Sequence, residues 1–174
     1  MAGLTSRRDV EFGAYVEQRR ARLYRTAYLL CGDPHLAEDI VQNALAKLYA
    51  AWSRASRAHH VDAYARRAVV NAHIDETRRP WRRDHSVDPS PGGVLDRADR
   101  TGPSVEDADA LWTALRGLAP GQRRVVVLRH YLGLSVEETA ADLGISPGTV
   151  KSQTSDALAA LRLALGDETI GERR

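Results

Sequence analysis

The chain contains one cysteine, Cys31, and one phenylalanine among its 174 residues. A single cysteine cannot form an intrachain disulfide, and nothing in the cysteine usage indicates an oxidising compartment. No apolar run approaches the roughly 20 residues needed to span a bilayer, and the N-terminus lacks the hydrophobic core of a signal peptide. We therefore expect a cytoplasmic protein without a membrane partner.

Residue patterns typical of catalysis are also scarce. The six histidines lack the spacing of metal ligands, Cys31 has no evident base partner, and no glycine-rich loop is present to hold a phosphate. These absences argue against an enzyme. We expect no catalytic residue, no metal and no cofactor.

The hydrophobic pattern is helical throughout the chain. No stretch alternates as a strand should, and the β-prone run Val125–Leu128 is interpreted as part of a buried helix because helical patterns flank it. Residues 84–103 contain three prolines and three glycines, a composition typical of a flexible linker. We predict an all-α protein with two small helical domains, residues 12–83 and 104–165, joined by this flexible linker, 84–103, and followed by a tail, 166–174. Ser104, with Asp107, is expected to cap the first helix of the second domain.

The most informative segment is Leu134–Gln153. Ser135 and Glu138 have the spacing of a capping box, and Gly144 stands where a helix must end in a left-handed conformation. Ser146–Pro147 then begins a second helix, with serine as the N-cap and proline in the first turn. Helix, turn and helix in this order place a recognition helix in the DNA major groove. A plain helical hairpin in a bundle explains the spacing equally well.

The first domain carries two further surfaces of interest. A helix predicted from Pro34 to about Trp52 has an apolar stripe on one face, and on the opposite face an acid and two amides, Asp39, Gln42 and Asn43. That face is typical of a docking surface, although ordinary surface polarity also explains it. Net charge is only +2, but arginines concentrate between residues 54 and 83 and acids between residues 96 and 109. Such asymmetry suits a polyanion, and the interleaved aromatic and amide side chains suit nucleic acid.

Three segments, in the same order and spacing, resemble motifs of bacterial sigma factors. Ala37–Tyr49 resembles region 2.2, Arg66–Arg79 resembles region 2.4, and Leu118–Ser152 resembles region 4. The lack of a domain between them is typical of the small extracytoplasmic-function class, and the sequence is most similar to its actinobacterial branch. The resemblance covers residues 12–165 apart from the linker.

The resemblance implies a promoter-specificity subunit that binds core RNA polymerase, directs it to −35/−10 promoters and promotes DNA opening. It implies contacts to the β′ clamp helices and the β flap of the polymerase core, made by Asp39, Gln42, Asn43, Leu115, Leu118 and Val126. The −10 element would be bound around a base-capturing loop, about Ser53–Val61, by Trp52, Ser56, Arg57, Arg66, Arg67, Asn71, Arg78 and Arg79. For Trp52, a place in the hydrophobic core explains the residue equally well. The −35 element would be bound by Arg129, Ser146, Gly148, Thr149, Lys151, Ser152 and Ser155.

Two points stay open from the sequence. An anti-sigma factor is a further partner that the resemblance suggests. The alternative function is an autonomous helix-turn-helix regulator, which would bind duplex DNA tightly by itself and would not need the polar face at Asp39.

Asp156 departs from the family pattern, since many relatives carry arginine there. A carboxylate that faces phosphate is repelled, so Asp156 either points away, pairs with Lys151 or Arg162, or accepts a hydrogen bond from a cytosine amino group. We expect weaker −35 binding and a shallower salt dependence than in the relatives.

Overall fold

The computed structural model describes residues 6–57, 60–78 and 112–165. The predicted linker and tail lie outside these residues, as do Ser104, Asp107 and Arg79. The chain divides into two compact units, Met1–Pro89 and Ser90–Arg174, and each is described here by itself. The part of the chain that the structure describes contains no β-strand, as expected for an all-α protein.

The described residues of the first unit form four helices, named in chain order. They are α1 (Arg7–Cys31), α2 (Pro34–Ala50), α3 (Trp52–Ala55) and α4 (Val61–Arg78), and α1, α2 and α4 pack against one another. α1 begins before the predicted domain start at residue 12, because the side chains of Ser6 and Asp9 each accept a hydrogen bond from the other residue's backbone amide. It ends at Gly32, which has the left-handed φ of 72°.

α2 has the predicted two-faced character. Asp33 caps its first turn by accepting from the amides of His35 and Leu36. Ile40, Ala44 and Leu48 are buried against α1 and α4. The predicted helix to Trp52 is interrupted, however, since α2 ends at Ala50 and the single turn α3 starts at Trp52.

In the second unit, the described residues start with a helical stretch, 112–116, and continue with three further helices. These are α5 (Pro120–Val126), which passes into a π-helical turn (Val127–Tyr131), α6 (Val136–Leu143) and α7 (Pro147–Leu165). The β-prone run Val125–Leu128 is thus helical, as predicted. Val125, Ala140 and Val150 form one buried cluster that joins α5, α6 and α7.

The start of α6 and the turn between α6 and α7 both have the predicted capping contacts. The Ser135 amide donates to Glu138 Oε2 over 2.8 Å, and the Glu138 amide returns a bond of 3.0 Å to Ser135 Oγ. Gly144 ends α6 with a φ of 64°, and Ser146 Oγ caps α7 by accepting from the Thr149 amide over 3.0 Å. These contacts confirm a helix-turn-helix and fix the direction in which α7 leaves the turn.

None of the described helices is both long enough and apolar enough to cross a membrane.

Candidate nucleic-acid and protein interfaces

The outer face of α2 presents three polar side chains together. Asp39, Gln42 and Asn43 are all exposed. Gln42 Nε2 donates to Glu38 Oε1 over 3.3 Å, and the same carboxylate forms an ion pair with Arg20 of α1. The amide of Gln42 is therefore held in place before any partner arrives, which lowers the entropy lost on binding.

Trp52 does not lie on the DNA-facing surface that was predicted for it. Its side chain is 5% exposed, and its ring packs edge-on against Phe12 at 5.2 Å and tilted against Tyr15 at 5.5 Å between ring centroids. A ring enclosed in this way has no free face for a base. Trp52 is instead an anchor of the first unit, because α1 supplies an aromatic cluster that sequence spacing did not reveal.

The residues after Trp52 are more accessible. Ser56 is half-buried, and its hydroxyl donates to the Trp52 carbonyl over 2.8 Å, whereas Arg57 is exposed. Ser53, at the start of the predicted loop, belongs to α3. Residues 58 and 59 lie outside the described part of the chain, so the loop is described only at its two ends.

One side of α4 carries the remaining predicted −10 contacts. Arg67, Asn71 and Arg78 are exposed and recur at intervals of four and seven, which places them along one side of the helix. Arg66 is half-buried. Ala68, Val69 and Ala72 form the buried side. Two guanidinium groups with an amide between them suit a phosphate backbone with one base edge.

The first turns of α7 present a short polar surface. Ser146, Gly148, Lys151, Ser152 and Ser155 are exposed, and Thr149 is half-buried. Val150, Ala157 and Leu161 anchor the opposite side of the helix in the core. A lysine in the second turn favours an anionic partner, and small hydroxyl side chains allow close approach to base edges.

Arg129 lies in the π-helical turn that precedes the helix-turn-helix. It is half-buried, and its Nη1 donates to the carbonyl of Leu134, just before α6 begins. This bond holds the segment that leads into the helix-turn-helix. The bond uses one of the five N–H donors of the guanidinium, and Arg129 is half-buried, so a phosphate contact by another donor remains a prediction.

The three apolar residues predicted to contact the β flap are buried. Leu115, Leu118 and Val126 are 3%, 4% and 8% exposed. The guanidinium of Arg123 holds the backbone of this segment in place, since it donates to the carbonyls of Leu115 and Leu118 over 2.8 and 3.3 Å. As placed, these side chains stabilise the second unit and offer no surface to a partner.

Asp156 faces solvent on α7. It forms no ion pair with Lys151, Arg162 or any other residue that the structure describes, although all three side chains are exposed. Of the alternatives considered for it, pairing with Lys151 or Arg162 is therefore not the arrangement found.

Known families match both units. The Sigma-70 region 2 family matches residues 15–83, and the Sigma-70, region 4 family matches residues 108–161. The chain is 42% identical over 155 residues to the RNA polymerase sigma-E factor of Streptomyces coelicolor, covering 88% of this chain and 85% of that one. It is 34% identical over 155 residues to the ECF RNA polymerase sigma factor SigM of Mycobacterium tuberculosis, covering 89% and 77%.

A solved structure has the same fold. The sigma factor RpoE of Bartonella quintana, crystallised with the anti-sigma factor NepR, superposes with a TM-score of 0.70 at 26% identity. The superposition covers 89% of this chain and 96% of that chain.

Proposed function

Since this chain belongs to the extracytoplasmic-function sigma factors, which direct RNA polymerase to specific promoters, we propose how its surfaces divide that task. The domain of residues 12–83 binds core polymerase and the −10 element. The linker 84–103 connects it to the domain of residues 104–165, which binds the −35 element. The observation that carries this division is that each unit presents one polar or basic helix face opposite an apolar one.

We propose that Asp39, Gln42 and Asn43 contact the β′ clamp helices. All three are exposed on a helix whose other side is fully buried, so the helix can present them without moving. The ion pair between Arg20 and Glu38 orients Gln42 from the neighbouring helix. This support from α1 is what an ordinary solvated face would not need.

The −10 element is assigned to α4 and to the residues after Trp52. Arg67 and Arg78 neutralise phosphates, Asn71 reads a base edge, and Ser56 and Arg57 lie beside the place of an unstacked base. Arg66 and Arg79 are further proposed phosphate contacts. Unstacking a base costs a few kcal/mol, and contacts of this kind offset that cost.

Replacing Arg78 with alanine tests the −10 assignment. Loss of one phosphate contact is expected to reduce open-complex formation by about threefold to tenfold, while affinity for core polymerase stays unchanged. Permanganate reactivity of unpaired thymines measures opening, and co-elution measures polymerase binding. Arg7→Ala removes an equally positive and exposed side chain from α1 and is the matched control. Equal loss of opening and of polymerase binding would remove Arg78 from the DNA contacts.

The −35 element is assigned to the first turns of α7. Lys151, Ser152 and Ser155 face outward, and the helix-turn-helix bonds described above hold α7 at a fixed angle for the major groove. Ser146, Gly148 and Thr149 complete this surface. Arg129 supports it from behind through the Leu134 carbonyl.

The exposed carboxylate of Asp156 gives a second test. Asp156→Arg removes a repulsive charge beside the −35 phosphates and adds one contact, so affinity for −35 duplex should rise. The slope of log affinity against log salt concentration should steepen by about 0.9. Asp156→Asn removes the charge alone and should raise affinity with little change of slope. A fall in affinity with both variants would instead favour a base-reading role for the carboxylate.

We also propose the remaining partners. An anti-sigma factor is proposed because the Bartonella quintana sigma factor, similar in fold and sequence, is found with one. The β flap remains a proposed partner of the second domain, without assignment to the buried Leu115, Leu118 and Val126. The protein is proposed to act in the cytoplasm as a binding subunit without catalysis of its own.

A further inference from the structure

One side of the N-terminal half of α1 contacts residues just before and just after a short segment, residues 53–61, which is the loop proposed to capture a −10 base. Arg8, Phe12, Tyr15 and Arg19 recur at intervals of four, three and four, so they lie on one face of the helix. None of them was singled out by sequence patterns. Their partners are residues that come just before and just after the segment.

The contacts before the segment are aromatic. The Phe12 ring lies 5.0 Å from the Tyr49 ring and 5.2 Å from the Trp52 ring, both in edge-to-face geometry. The Arg8 guanidinium lies 4.3 Å from the centre of the Tyr49 ring and donates to the Tyr49 carbonyl at the end of α2. These contacts fix the point at which α2 ends and α3 begins.

The contacts after the segment are polar and converge on Asp62, in the first turn of α4. The Tyr15 hydroxyl donates to Asp62 Oδ1 over 3.1 Å, and Arg19 Nη2 lies 3.3 Å from Asp62 Oδ2. Burial raises the pKa of Tyr15, and the charge of Asp62 raises it further, so the hydroxyl remains a donor throughout the neutral range. Tyr15 thus touches Trp52 through its ring and Asp62 through its hydroxyl.

We propose that Tyr15, with Phe12 and Arg19, positions the residues that select the −10 element by holding Trp52 and Asp62 in fixed relation to each other. This inference rests on the proposed −10 role of Ser56, Arg57 and α4. Ser56 and Arg57 follow directly from Trp52, and Asn71 lies farther along the helix that Asp62 begins. The residues that surround a captured base must be held in position by supporting contacts, because a site whose residues can shift also accepts the wrong base.

The spacing between Trp52 and Asp62 is the feature that Tyr15 controls. The ion pair between Arg19 and Asp62 is exposed, with side chains 42% and 58% accessible, and exposed pairs of this kind add little to folding stability. The Tyr15 hydroxyl bonds to the same exposed carboxylate, so we expect its removal to cost little folding stability. Its removal should instead lower the selectivity of the protein for the −10 element.

The experiment measures −10 discrimination by holoenzyme assembled on Streptomyces coelicolor core polymerase. The promoter used is the one that wild-type holoenzyme transcribes most strongly. The readout is the ratio of transcription from this promoter to transcription from its single-base −10 variants, and its −35 variants are measured in parallel. Tyr15→Phe keeps the ring and removes the hydroxyl, and we expect it to lower the −10 ratio by about twofold to fivefold, a modest loss because the hydrogen bond to the Asp62 carboxylate is exposed to solvent. Tyr15→Ala should lower it further, and neither should change the −35 ratio.

Two matched controls separate positioning from stability. Glu17→Gln alters an exposed residue on another side of α1, and Ile40→Val removes one methylene from the core of the same unit. Both should leave the −10 ratio unchanged, even where Ile40→Val lowers the melting temperature as much as Tyr15→Phe does. Asp62→Asn keeps an acceptor for Tyr15 but loses the charge that pairs with Arg19, so it should fall between wild type and Tyr15→Ala.

The outcomes are distinguishable. An unchanged −10 ratio in both Tyr15 variants, with a changed ratio in Asn71→Ala, would overturn the positioning role and leave the −10 assignment intact. An unchanged ratio in Asn71→Ala and Arg57→Ala would remove the −10 assignment itself. An equal fall of the ratio in Ile40→Val would show that general loss of stability, and not the Tyr15 contacts, controls selectivity.

Discussion

Replacing Asp39 with lysine is expected to weaken binding to core RNA polymerase by about tenfold to a hundredfold, because it reverses a charge at a protein interface. Asp39 is exposed on the outer face of α2, beside Gln42 and Asn43, so the substitution leaves the buried side of the helix intact. Folding should therefore be unchanged. Competition between labelled wild type and unlabelled variant for core polymerase measures the loss.

Glu17→Lys is the control for this substitution. It makes a change of charge of the same sign and size on an exposed residue of α1, outside the set Asp39, Gln42 and Asn43. Its affinity for core polymerase should stay within about twofold of wild type, as is usual for a charge outside the interface. If Glu17→Lys and Asp39→Lys lose equal affinity, net charge is responsible, and the outer face of α2 is not the docking surface.

The second large effect is expected at the start of the recognition helix. Lys151→Glu places a carboxylate where α7 meets the −35 phosphates, and transcription that depends on the −35 element should fall by about tenfold or more. Polymerase affinity should not change, since Lys151 lies on the exposed face of α7 that is assigned to DNA. Transcription from −35 variants of the same promoter, compared with wild-type promoter, separates this effect from a general loss of activity.

Arg162→Glu is the matched control for Lys151→Glu. Both side chains are exposed on α7, but Arg162 lies eleven residues later, about 16 Å along the helix axis. Recognition helices contact bases through their N-terminal residues, so Arg162→Glu should have a small effect. Equal losses in both variants would point to long-range repulsion and not to a contact at Lys151.

The helix-turn-helix was predictable because its determinants are local. Ser135 with Glu138, Gly144, and Ser146 with Pro147 each set a helix end through their own backbone or a neighbour three residues away. The apolar stripe of α2 was predictable for the same reason, since helical spacing alone places Ile40, Ala44 and Leu48 on one side.

The positions of Trp52 and Leu118 were not predictable in this way. Trp52 is buried because Phe12 and Tyr15, far away in sequence, pack on it. Leu118 is enclosed by a segment that Arg123 ties together through backbone carbonyls, which no hydrophobic period encodes. Contacts between elements decide whether an aromatic or aliphatic residue near a functional motif faces the partner or the core.

The exposed Asp156 and the proposed linker, residues 84–103, bear together on the proposed promoter affinity. A weak −35 contact is sufficient when a linked −10 contact raises the local concentration of the second domain, because the second binding event is then intramolecular. Release from the promoter is also easier when neither contact is strong by itself.

Selection of promoter DNA by reconstituted holoenzyme tests the central claim most directly. A library randomised across both elements is transcribed with core polymerase plus wild-type protein, Lys151→Glu or Asn71→Ala. The two-domain assignment predicts two selected blocks, with the upstream block lost in Lys151→Glu and the downstream block altered in Asn71→Ala. Failure of the protein to direct core polymerase to any sequence, or a single block changed by both substitutions, would contradict it.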